Sequence, residues 1–123
     1  MKALVPVMLV TLSAPAVADT TYYALVTQAG APIATSPALT VRPRVRPNGG
    51  PGIYEVLWND SERDITKCAH MVTPRYYNQP MEPSVQGTTA SVVVQDPHLL
   101  VVFTDDAQGR GTNHGFQLIT HCP

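Results

Sequence analysis

The stretch whose reading decides the fold is Ser91-Val-Val-Val-Gln-Asp-Pro-His-Leu-Leu-Val-Val-Phe-Thr104. Two continuous apolar runs flank a short turn centred on Asp96 and Pro97, which predicts a hairpin with both faces of each strand covered and therefore the centre of a core. Five further runs rich in β-branched and aromatic residues surround it, giving expected strands over 21–27, 39–45, 52–58, 64–72, 89–95, 99–104 and 115–122. Between them lie turn-forming groups such as Gln28 to Pro32, Pro47 to Gly52 and Asp105 to Gly115. Twelve prolines and eight glycines are scattered through the chain, and no stretch sustains the apolar spacing of an amphipathic helix. Short strands with turn punctuation and no intervening helices predict an all-β fold, a single antiparallel β-sandwich of about seven strands.

The first eighteen residues differ from the rest. A lone cation at Lys2, an apolar run from Ala3 to Leu12 and the small residues Ala16, Val17 and Ala18 read as a secretory signal peptide, 1–18, cleaved to leave a single domain over 19–123. The apolar run is about half the ~20 residues that a membrane span requires, so no span is expected once the signal is removed. The expected location is outside the cytosol, secreted or periplasmic. Cys68 and Cys122 would then meet an oxidising environment and pair, closing a loop of about 55 residues that is worth ~4 kcal/mol in the chain-entropy account. Without Lys2 the chain keeps seven Lys or Arg against nine Asp or Glu, a balance that argues against nucleic acid as a partner.

Thr40 to Gly52, TVRPRVRPNGGPG, holds the most concentrated positive charge. Arg42, Arg44 and Arg46 alternate with Val41, Pro43, Val45 and Pro47, and prolines cannot donate to neighbours on both sides, so an edge strand is expected. Charge and proline there discourage intermolecular strand pairing. Three guanidinium groups about 6.5 Å apart would also form an anion-binding ridge. A rival surface is the proline-bounded loop of Arg75, Tyr76 and Tyr77, where amphipathic rings can dock a protein or glycan.

Two groups of residues point toward metals. His70, Met71, Met81 and His121 offer imidazole and thioether ligands suited to copper. His70, ten intervening residues and Met81 are similar in spacing to the start of the motif of periplasmic copper-acceptor proteins, whose later histidine and methionine fall near Phe103 and Asp105 here. On a strand, however, His121 points opposite to Cys122 while His70 shares the face of Cys68, so the two imidazoles could be separated by the sheet. The segment from Leu99 to Cys122, with Phe-Thr-Asp at a strand end, a polar loop and then Gly-Phe, resembles the closing hairpin of CUB domains. That resemblance implies a CUB-like sandwich, as an alternative to an immunoglobulin-like one, with Asp105 as a calcium ligand and Phe116 in the core. Asp106 could add a second oxygen donor.

Catalysis has thinner support. Pairing removes both thiols, Ser61, Ser84 and Ser91 lie in no nucleophile elbow, and no phosphate-cradling loop is present. Glu55, Asp60, Glu62 and Asp64 could assemble a carboxylate pair for a small secreted hydrolase, or simply populate a turn. Asn59, Asp60 and Ser61 form a glycosylation sequon. The sequence therefore favours a non-catalytic binding module for an unnamed protein or glycan, with a periplasmic copper-binding protein and a small secreted hydrolase as the alternatives.

Overall fold

The computed structural model describes residues 20–44, 51–60, 62–75 and 87–123. The signal segment, Arg46, Ser61, Tyr76, Tyr77, Met81 and Ser84 lie outside them. The described chain is nearly all β, as expected. It forms eight strands: β1 (Thr20–Val26), β2 (Pro32–Thr35), β3 (Leu39–Pro43), β4 (Ile53–Trp58), β5 (Ala69–Pro74), β6 (Thr89–Asp96), β7 (Leu99–Asp105) and β8 (Phe116–Cys122). They make two four-stranded antiparallel sheets, ordered β2-β1-β8-β5 and β3-β4-β7-β6.

Alternation decides what each strand buries. In β1 the side chains of Tyr22, Ala24 and Val26 enter the core and those of Thr21, Tyr23 and Leu25 leave it; in β8, Phe116, Leu118, Thr120 and Cys122 enter. From the facing sheet come Leu39 and Val41, Tyr54, Val56 and Trp58, and Leu100 and Val102. Tyr22 meets Trp58 edge to face at 5.6 Å between ring centroids, and Tyr54 leans on Phe116 at 5.1 Å, both favourable aromatic geometries. Phe116 is fully buried.

Three expectations need correcting. β2 is an eighth strand, held by antiparallel pairing to β1 with a register shift between Leu25 and Val26. The run over 64–72 is not one strand: Asp64 accepts from the Thr66 N–H, Ile65–Lys67 forms a 3-10 turn that buries Ile65, and β5 begins only at Ala69. Finally, only one arm of the 91–104 hairpin is covered on both faces. Leu100, Val101 and Val102 of β7 are buried, whereas β6 is an edge strand and leaves Val93 53 % exposed.

The arginine segment is an edge, as its prolines required: among the described residues β3 pairs only with β4. Cys68 and Cys122 are bonded, with Cα atoms 4.3 Å apart. Extending the β5–β8 register by one pair from Ala69 and His121 sets these cysteines opposite each other, at the spacing of a non-hydrogen-bonded antiparallel pair. The bridge thus staples neighbouring strands of one sheet. Among the described residues no helix is long and apolar enough to cross a membrane.

Candidate functional site

The described arginines of this run, Arg42 on β3 and Arg44 just past its end, are already engaged. Glu55 on β4, the cross-strand partner of Arg42, accepts from Arg42 Nε at 2.7 Å through one oxygen and from Arg44 Nε at 2.9 Å through the other. Arg44 also donates from Nη2 to Gln95 Oε1 on β6 at 2.6 Å, so the clasp reaches across β7. Val101, which points to the same side, is only 2 % exposed. Burial alone would raise the Glu55 carboxyl, but the hydrogen bonds and charges of the two arginines outweigh it and hold the group below the ordinary glutamate value. Two cations thus share one carboxylate, leaving a single net positive charge on the described part of the ridge.

The four copper candidates do not all meet. His70 points inward and uses both ring nitrogens: Nε2 donates to the Ile65 carbonyl at 2.9 Å, and Nδ1 lies 2.8 Å from the Thr120 hydroxyl. A carbonyl only accepts, so the neutral imidazole of His70 carries its hydrogen on Nε2 and accepts a hydrogen bond from the Thr120 hydroxyl at Nδ1. Met71 and His121 stand on the opposite, outer face, with His121 Nδ1 3.1 Å from Thr21 Oγ1. Asp106, one of the two calcium candidates, spends Oδ1 on the backbone N–H groups of Gln108 and Arg110 and faces Arg110 through Oδ2. Chiefly the Arg110 backbone N–H, then that of Gln108 and the Arg110 charge, hold its carboxyl below the ordinary aspartate value. Among the described residues no three His, Cys, Asp or Glu side chains converge as metal ligands.

The hydrolase carboxylates are likewise divided. Glu55 lies on the outer face of the β3-β4-β7-β6 sheet, while Asp60, Glu62 and Asp64 border a cleft of about 430 Å³ beside Arg63, Lys67 and Cys68. Asp60 closes its own turn through the Glu62 N–H, and Asp64 takes both the N–H and the hydroxyl of Thr66. Those Thr66 bonds lower the Asp64 carboxyl. A glycosidase acid needs the opposite shift.

What the sequence reading did not identify is the outer face of the other sheet. Register places Tyr23 of β1 opposite Ile119 of β8, and Ile119 opposite Met71 of β5, so three apolar side chains form one row across three strands. Tyr23 is 47 % and Met71 65 % exposed. Beside the row, a groove of about 460 Å³ is lined by His70, Met71, Val72, Thr73, Gln117 and Ile119. Arg75 follows β5 directly, its N–H bonded to the Gly115 carbonyl, and its guanidinium donates to Gln117 Oε1 at 3.1 Å, which sets the cation at the groove's rim. The four strands of this sheet, TTYYALV, PIAT, AHMVTP and FQLITHC, contain no Asp, Glu, Lys or Arg. That absence was readable in the sequence, but only once the strands were known to share a sheet.

The chain matches no protein-family model, and neither the curated proteins nor the solved structures yield a match.

Proposed function

We propose that this protein is an exported, non-catalytic binding module that docks a protein partner on the outer face of the β2-β1-β8-β5 sheet. The observation that carries the reading is the charge-free composition of that sheet together with the exposed Tyr23–Ile119–Met71 row. A soluble surface ordinarily mixes charge among its apolar groups, and the centres of protein interfaces are depleted in Asp, Glu and Lys while enriched in Tyr, Met and Arg. Tyr23, Met71 and the neighbouring Arg75 fit that composition. A row two-thirds aliphatic suits apolar protein side chains better than the stacked rings on which sugars sit. β6 runs close to β5, so a partner meets the face of β5 rather than an open edge. Export is supported by the apolar opening segment with its small-residue end, and by a disulfide with no free cysteine among the described residues.

Affinity capture from the producing organism's envelope and culture fractions tests this directly. Wild-type protein and Val93→Asp, altered on the other sheet, should retain the same partner, and Met71→Asp should lose it. Equal retention by Met71→Asp removes the proposal.

A further inference from the structure

Resting on that docking face, we infer the chemistry of what it receives: a protein segment that seats an apolar side chain in the groove between β5 and β8 and sets a carboxylate on Arg75. The groove is apolar where the side chains of Met71 and Ile119 meet, which suits an aliphatic or aromatic side chain. Its rim carries one cation. Arg75 is half-buried, held in place by Gln117, and has no carboxylate within salt-bridge distance among the described residues, unlike Arg42, Arg44 and Arg110. No carboxylate occurs on the four strands of this sheet, so none of their side chains competes for the guanidinium. Among the described residues the guanidinium bonds to a neutral amide, which leaves donors for an ionised group, and a planar fork is matched by a carboxylate. A second copy of this chain fits less well. It would present another face without acids, and strands of 7, 4, 7 and 6 residues offer roughly 400 Å² per partner, well below the ~800 Å² of a stable interface.

Panning a random linear dodecapeptide library on the immobilised, oxidised protein tests the assignment, with affinities then measured by fluorescence anisotropy on the enriched synthetic peptides. Enriched sequences should carry Asp or Glu close to a large apolar residue. Their affinity should fall about tenfold or more in both Arg75→Gln and Met71→Asp, the loss expected for a charge-assisted hydrogen bond or a buried anchor. Met71→Leu, which keeps the apolar surface, and Val93→Asp should stay within about twofold; Trp58 fluorescence reports that each variant is folded. Enriched peptides without acids, or binding lost in Met71→Asp but unchanged in Arg75→Gln, overturn the carboxylate assignment and leave the docking face standing. Binding that ignores Met71→Asp overturns both. A library that yields no binder, or a glycan array that binds through Met71 in its place, overturns the inferred protein segment.

Discussion

Breaking the Cys68–Cys122 bridge should destabilise the domain without dismantling it. The bridge spans 54 positions, and confining a loop of about 55 residues in the unfolded chain is worth about 4 kcal/mol in the entropy account. The folded state should lose little, because β8 is held independently by register with both β1 and β5. Reduction of the wild type isolates the crosslink. The variant Cys68→Ala/Cys122→Ala additionally deletes a sulfur from a fully buried site, at about 0.8 kcal/mol for a group of methylene size. With a urea dependence of roughly 1.5 kcal/mol per molar for a domain of this size, the midpoint should fall by ~3 M on reduction. Trp58 makes the assay simple, being the chain's sole tryptophan, 4 % exposed and packed on Tyr22. A midpoint that moves by less than about 0.5 M would refute the reasoning, since it would mean that the bridge barely restricts the unfolded chain.

Other outcomes follow from particular contacts. The Glu55 carboxyl is lowered in the folded protein, so its contribution is present above the ordinary 4.5 and lost as pH falls through the lower folded value; Glu55→Gln should flatten that acid limb of the urea midpoint against pH. Tyr54 is shifted the other way, first by burial, partly offset by the His114 N–H and Thr104, so its stabilisation is complete below 10.0 and lost as pH rises through the higher folded value. Ultraviolet absorbance should show one tyrosine that ionises only as the protein unfolds. Tyr54→Phe removes a hydroxyl that donates to the Gln28 carbonyl and accepts from the His114 N–H, and should cost ~1–3 kcal/mol by urea titration. Gly52 has φ of 89°, and a Cβ there would run into the Thr104 carbonyl and the Thr112 backbone; Gly52→Ala should cost about 2 kcal/mol or more, read as a thermal midpoint roughly 10 °C lower.

The fold was largely legible because strand composition and alternation are local. Val, Ile, Thr and Tyr at period two announced β1, β4 and β8, and the Arg-Pro alternation announced an edge. The failures share a cause in context. Pro32–Thr35 is too short and too mixed to declare itself, and it is a strand only because β1 pairs with it. Asp64-Ile65-Thr66 looks like the start of a strand by composition, but the Asp64 side chain captures the Thr66 N–H and tightens the chain into a turn. The three valines of β6 read as covered on two sides, yet covering both faces of β6 requires something over Val93, which the sheet order does not supply.

The proposed docking face was invisible for a stronger reason, which is also the argument for it. Residues 23, 71 and 119 become neighbours only through register, and a slip of one residue would send each to the opposite side. In β5 the choice runs against hydropathy: the imidazole of His70 is turned inward and the thioether of Met71 outward. Inward, His70 is satisfied by Thr120 and the Ile65 carbonyl, so the core spends a polar network where a methionine could have packed, and it leaves on the surface an apolar side chain worth ~1.5–3 kcal/mol if buried. β1 repeats the pattern with a pair of tyrosines, Tyr22 packing on Trp58 while Tyr23 stands half-exposed beside Ile119. Burial on this sheet is therefore incomplete in the folded monomer on two strands at once, along a single row. The proposed partner would complete it, and the stability gained on docking should then disappear in Met71→Asp while the isolated domain's own unfolding midpoint is left nearly unchanged.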